Sequence, residues 1–371
     1  MTRSNSAAIA VEKAESLAIM DNLGLICGDT QKTVKRRGFD LLRRAVPRPI
    51  KQLLKRLVGK VRATPGRPPP PIAPPRTAIN LADTTAVRAF VVRSDELGGP
   101  DATPAHEWWQ TLTFDIPSSL RVSACRLDPL SAEYLALQDG LYAAMVGGPY
   151  QETISELAPF DKEAAVAGHL AYPHCEPQAL NRHISAMARL VDQVDRPGSL
   201  RILEAGSGWG FSCEYLARLG HRLVGVDVNP DFIETATRRS QRLGLGIDYR
   251  LGTFACLPVA PDERFDIIFT SAAFHHGRTP LLALQGMVRQ LVPGGQVILA
   301  SEPFIEPAMW PAWGLRADAL SVYCIAKFGW WEAGWTRAFM GELFSRVGLE
   351  MRFADYHSDL ERYMVGRLAV A

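Results

Sequence analysis

This 371-residue sequence carries only six cysteines, at Cys27, Cys125, Cys175, Cys213, Cys256 and Cys324, and none form a Cys-x-x-Cys pair. That spacing excludes a zinc ribbon and gives no sign of a disulfide framework, so a reducing, cytoplasmic compartment is expected. Long apolar runs are missing too. None approaches the ~18 residues a membrane-crossing helix needs. The first residues, with Glu12, Glu15 and Asp21 among the apolar ones, lack the uninterrupted core of a signal peptide. Net charge is also small, at +2.

That small charge hides a division. Residues 1–76 hold 16 Lys and Arg against 5 Asp and Glu, and the remainder holds 25 against 34. A basic arm therefore precedes an acidic body. Within the arm, Ile50, Leu53, Leu54, Leu57, Val58 and Val61 form a helical stripe flanked by Lys51, Lys55, Arg56, Lys60 and Arg62. Residues 35–62 are accordingly a candidate for peripheral contact with an anionic membrane surface, against the commoner reading that the stripe packs on its own protein. Pro65, Pro68 to Pro71, Pro74 and Pro75 then make residues 63–78 an extended spacer.

Beyond the spacer, Ala86 to Arg93, Trp108 to Phe114 and Leu120 to Cys125 suggest strands, and Glu133 to Met145 and Pro177 to Val194 suggest helices. Residues 79–198 are thus expected to form an α+β accessory region for substrate recognition. His174, Cys175 and His183 have no zinc-ligand spacing, so no metal is expected.

The chemistry concentrates after residue 199. Arg201-Ile202-Leu203-Glu204-Ala205-Gly206-Ser207-Gly208-Trp209-Gly210 is an apolar strand ending in a carboxylate and running into three alternate glycines. Such a turn brings backbone close to a nucleotide-like ligand. A helix over Phe211 to Arg218 leads to a strand ending at Asp227, about 20 residues beyond the glycines, where dinucleotide-type sites place a ribose-binding carboxylate. Further strands follow at Ile247 to Leu251, Phe265 to Thr270 and Gln296 to Ala300. Leu291-Val292-Pro293-Gly294-Gly295 reads as a tight turn before the last of these. The alternation is that of a doubly wound α/β sheet.

In this order and spacing, Glu204 to Gly210, Asp227, Phe265-Asp266-Ile267-Ile268 and Leu291 to Gly295 resemble the class I S-adenosylmethionine-dependent methyltransferases. The resemblance covers residues 199–371. It implies a Rossmann-like seven-stranded sheet with helices on both faces and one antiparallel strand, the last two strands coming from Gly348 to Phe353 and Arg362 to Leu368. It also implies S-adenosylmethionine as cofactor, with Gly206, Ser207, Gly208 and Gly210 along its methionine part and Glu204 supporting the loop and amino group. Asp227, beside Val228, would accept from both ribose hydroxyls. Where relatives have Gly-Asp, this chain has Gly252-Thr253-Phe254, so Thr253 and Phe254 take the adenine position.

A hydroxyl acceptor would gain from a base, and His275, His276 and Glu302 follow the fourth and fifth strands at the ligand-binding edge. Trp310, Trp313, Trp330, Trp331 and Trp335 then suggest either an acceptor pocket or a buried lid. Glu332-Ala333-Gly334-Trp335-Thr336 is similar to a segment of methyltransferases acting on saccharides. The expected function is O-methylation of a saccharide or lipid-linked envelope glycan precursor. The alternatives are a quinone, phenol or natural-product acceptor, or a non-catalytic cofactor-binding module. Nucleic acid fits poorly, because the body is acidic and no RNA-binding module is present.

Overall fold

The computed structural model describes residues 76–157, 160–170, 177–192, 198–355 and 362–369. The basic stripe, all but the end of the spacer, His174, Cys175 and the His183 side chain lie outside them. The spacer's last residues, Thr77 and Ala78, already belong to the first strand.

The accessory region opens with β1 (Thr77–Asn80), followed by α1 (Thr84–Glu96), α2 (Thr103–Trp109), β2 (Leu112–Asp115), α3 (Ser118–Ala124) and α4 (Ala132–Val146). β1 and β2 pair in parallel. Two of the three expected strands are helical and the third is divided. Ala86 to Arg93 lies within α1, because the Asp83 side chain caps the backbone amides of Thr85 and Ala86 while Val87, Phe90 and Ser94 turn one face inward. Trp108 and Trp109 close α2, leaving only Leu112–Asp115 as strand. Leu120 to Cys125 falls in and beside α3. Burial of a helical face here overrides the β-propensity of the valines. α5 (Glu152–Ser155), α6 (Lys162–Ala167) and α7 (Pro177–Asp192) complete the region, α7 agreeing with its expected helix.

The second half runs β3 (Arg201–Ala205), α8 (Phe211–Arg218), β4 (Arg222–Asp227), α9 (Pro230–Leu243), β5 (Asp248–Leu251), β6 (Phe265–Ser271), α10 (Pro280–Arg289) and β7 (Leu291–Ala300). Then come β8 (Trp313–Leu315), α11 (Ala319–Phe328), β9 (Ala333–Trp335), α12 (Arg337–Arg346), β10 (Leu349–Asp355) and β11 (Arg362–Leu368). The large sheet has seven strands in the order β10-β11-β7-β6-β3-β4-β5. β11 alone runs against its neighbours. The strand order reverses beside β3, which places the glycine loop at the switch point, where open sheets leave a crevice.

The tight turn expected at residues 291–295 is instead a bulge inside β7. Phe265 pairs with Leu291 and Ile267 with Gln296, so Val292 to Gly295 face a single residue on β6. The tryptophan segment is mostly core. Trp310, Trp331 and Trp335 are fully buried and Trp313 nearly so. They join Phe90, Tyr134, Leu141 and Met145 of the accessory region in one cluster. Polar contacts tie the same parts together: Tyr134 donates to the Trp313 carbonyl at 2.6 Å, and the Leu315 amide donates to Gln138 at 3.0 Å.

Candidate active site

A cavity of about 390 Å³ opens at the carboxyl ends of β3, β4 and β6. Gly206, Gly208, Asp227, Val228, Thr253 and Phe254 line it, together with His276 and Trp330. Gly206 has φ +75°, and a Cβ there would come within 2.5 Å of the Ala273 Cβ. Only glycine fits that turn without displacing the loop after β6. Asp227 holds the glycine loop: its carboxylate accepts from the Gly208 amide at 2.8 Å and the Asn229 amide at 2.9 Å. Burial pushes its pKa up against these amides. Two carboxylate oxygens offer about four acceptor positions, which leaves capacity for a ligand's hydroxyls.

Glu204, Ser207 and Gly210 stand behind the cavity wall rather than on it. Gly210, at φ +94°, begins α8, and a Cβ there would lie 2.2 Å from the Tyr249 hydroxyl. The Glu204 carboxyl is buried and accepts from the Cys213 thiol at 3.0 Å. Burial, with the nearby Asp227 charge adding to it, lifts its pKa to about 8 despite hydrogen bonds from Cys213 and Ser212.

The three candidate catalytic residues separate into different roles. Glu302 is buried and does not line the cavity. One oxygen accepts from the amides of Phe274 and Ala273 at 2.9 and 3.2 Å. The other accepts from the His275 amide and lies 3.0 Å from the His275 Nδ1. Burial would raise its pKa, but His275 and the loop amides outweigh it and hold the carboxyl below its ordinary value. Glu302 is therefore the peg of the β6 loop. It has to hold that loop because Ala272 and Ser301 both sit at positive φ, 51° and 60°, where residues with a side chain are strained. His275 packs beside the cavity, its ring 4.3 Å from that of His276. His276 reaches the cavity, with 24% of its side chain exposed.

His276 meets a residue that the sequence patterns did not point to. Its Nδ1 lies 3.1 Å from the Glu156 carboxylate, an ion-pair distance at an angle outside hydrogen-bond geometry. Burial lowers the imidazole's pKa, yet Glu156, with Glu332 and Glu302 behind it, more than reverses this and takes it up to about 9. Glu156 is itself fixed by the Tyr150 hydroxyl at 3.0 Å and the Trp331 amide at 2.7 Å. Glu152, one helical turn earlier, also lines the cavity, and burial beside Glu156 raises its pKa.

Phe160, Trp209 and Phe232 form an aromatic wall, with Phe160 stacked on Trp209 at 4.7 Å. A buried ion pair secures the segment that follows Phe160. Arg239 meets Glu214 at 2.6 Å and donates to the carbonyls of Ala165 and Gly168 at 2.6 and 2.9 Å. With four of the guanidinium's five N–H donors paired in this way, α6 is fixed against α9. Of the five clustered tryptophans, only Trp330 lines the cavity.

Residues 203–299 match the family described as Methyltransferase domain. The ubiquinone biosynthesis O-methyltransferase of Parvibaculum lavamentivorans is 37% identical over 119 residues, covering 32% of this chain and 46% of that protein. Its namesake from Maricaulis maris is 37% identical over 102 residues, covering 28% of this chain and 40% of that protein. The chain thus spans less than half the length of these relatives. Among solved structures, the YcgJ protein from Bacillus subtilis aligns over 51% of this chain and all of that one, at 16% identity and a TM-score of 0.41.

Proposed function

We propose, on the premise that this chain carries a methyltransferase domain of the class I S-adenosylmethionine-dependent family, that it transfers the cofactor's methyl group to a hydroxyl of a small molecule. One observation carries the reading: the cofactor residues Gly206, Gly208 and Asp227 share a continuous cavity with Glu156, His276 and Trp330. Donor and acceptor can therefore meet in a single space closed by aromatic side chains.

Asp227 accepts from the ribose hydroxyls, the turn at Gly206 and Gly208 lets the methionine part lie against backbone, and Thr253 with Phe254 faces the adenine. S-adenosylmethionine supplies an activated methyl on a sulfonium. What the protein adds is alignment of acceptor, methyl and sulfur, the usual source of most acceleration in such displacements. An acceptor hydroxyl set against His276 and Glu156 finds both a hydrogen-bond partner and a place for its proton.

The matched relatives act, by name, in ubiquinone biosynthesis, which favours a quinone-like or phenolic acceptor. A saccharide is the second reading, supported by Trp330 beside the carboxylates of Glu152 and Glu156, a set suited to stacking on a sugar face and accepting from its hydroxyls. Contact of residues 35–62 with an anionic membrane surface would suit a lipophilic acceptor. The test is transfer of labelled methyl to a panel of phenols, reduced quinones and glycans. Labelling of a phenol or quinol hydroxyl supports the proposal, labelling of glycans alone supports the second reading, and labelling confined to amines refutes both.

A further inference from the structure

The ionic cluster behind the acceptor end of the cavity has a composition that proton transfer does not require. Among the described residues, His275, His276 and Glu332 form a group whose possible metal-ligating atoms all lie within 4.8 Å of one another. We propose that this group is a site for one divalent transition-metal ion of the zinc class, placed to bind the acceptor's oxygen.

The first support is orientation. The His275 Nδ1 lies 3.0 Å from Glu302, which as a carboxylate can only accept, so this nitrogen carries the ring's proton. Nε2 is left with its lone pair, 3.8 Å from the Glu332 Oε2. Tetrahedral bonds of about 2.0–2.2 Å to zinc place two ligands roughly 3.3–3.6 Å apart, so a movement of a few tenths of an ångström would close this pair on an ion. A carboxylate behind a ligating histidine is the usual arrangement at such centres, because it fixes the tautomer and raises ligand basicity.

Charge is the second support. Glu156, Glu302 and Glu332 converge on two imidazoles, and among the described residues the cation ion-paired with these glutamates is Arg316, which lies 3.5 Å from Glu332 and is shared with Asp318 at 2.9 Å. Carboxylate oxygen is thus concentrated around two imidazoles, an environment that favours a bound divalent cation. Two nitrogens and one carboxylate oxygen suit zinc, cobalt or iron(II) better than magnesium or calcium, which prefer all-oxygen shells.

The ion-binding claim stands on the cluster alone; its catalytic use rests on the function proposed above. In that use, the ion holds the acceptor hydroxyl and makes it more acidic. The proton leaves to Glu156, the oxygen forms a bond to the methyl carbon, and the carbon–sulfur bond breaks. Its electron pair returns to sulfur, giving neutral S-adenosylhomocysteine, and the ion is unchanged. His276 then serves as a ligand and Glu156 receives the proton.

The test is titration of the full chain, freed of metal by chelator, with cobalt(II), followed by its visible d–d absorption, alongside calorimetry with S-adenosylmethionine. One cobalt per chain is expected, in competition with zinc. Glu332→Gln should lose the cobalt spectrum while still binding S-adenosylmethionine, showing that the fold survives. Glu302→Gln, which replaces the carboxylate behind His275 and keeps one oxygen for the loop amides, should weaken cobalt binding by about 10–100-fold. Absence of stoichiometric cobalt binding in the unaltered chain, or a spectrum that Glu332→Gln leaves unchanged, overturns the proposal. Failure of S-adenosylmethionine to bind while cobalt does would instead count against the methyltransferase reading.

Discussion

Substituting Glu204 by glutamine should stabilise the protein, and should do so only where the carboxyl is driven to ionise. Its folded pKa of about 8 stands above the ordinary 4.5. The native state therefore holds this proton more tightly than the unfolded chain does. Below the ordinary value both states are protonated and nothing is lost. As pH rises from there the unfolded chain releases the proton and the native state does not, so stability falls until the folded group also ionises near its own pKa. At about 1.4 kcal/mol for each pH unit between the two values, the loss is roughly 3 kcal/mol at pH 7 and levels off at about 5 kcal/mol above the folded pKa. Glutamine keeps the shape and an oxygen to accept from the Cys213 thiol, but it never ionises. Its gain is thus absent near pH 4.5 and largest above pH 8. The assay is thermal unfolding of both proteins across that window, with several degrees of added stability expected on the alkaline side. A variant less stable at pH 8, or a difference that does not change with pH, would refute the reasoning. Loss of cofactor affinity in Glu204→Gln would point instead to the amino-group contact that the family resemblance implies.

Other outcomes follow from the same geometry. Asp227→Ala removes the carboxylate proposed to accept from two ribose hydroxyls, with hydrogen bonds to charged groups worth about 1.5–3 kcal/mol each; calorimetry should show cofactor affinity falling by about 100-fold or more, and unchanged affinity would remove Asp227 from the proposed ribose site. Gly206→Ala should abolish cofactor binding and lower the melting temperature, since the new methyl meets Ala273 at 2.5 Å on a backbone with φ +75°. Trp335→Ala empties a fully buried site and should cost about 3–5 kcal/mol in denaturant unfolding. Trp330→Ala, at the cavity wall, should instead raise the acceptor KM with little change in stability; equal destabilisation by the two would contradict the division between core and pocket.

The second half of the fold was legible because its signals are local. Gly206 and Asp227 mark strand ends where backbone geometry permits few other residues, and Arg362–Leu368 forms the expected final strand without adjustment. In the accessory region, Val87, Val91 and Val92 favour strand by propensity, and the Asp83 cap with the burial of one face makes α1 a helix. The tryptophans gave a composition but no partition. Which indole faces core and which faces cavity is decided by contacts with Tyr134 and Gln138, more than 170 residues away in sequence. Glu156 had no signal at all. It lies outside the methyltransferase motifs, and folding alone carries it to His276. Glu302, well placed by its position after a strand, proved to be a support for the loop because its carboxylate is taken up by three amides and a histidine.

The central claim is that this cavity holds S-adenosylmethionine, and titration calorimetry of the full chain with S-adenosylmethionine and S-adenosylhomocysteine, beside NADH and NADPH, tests it most directly. Binding of both sulfur compounds at one per chain, lost in Asp227→Ala, with no heat from the nicotinamides, is the result the geometry predicts. Nicotinamide binding, or no heat from either sulfur compound, would contradict it.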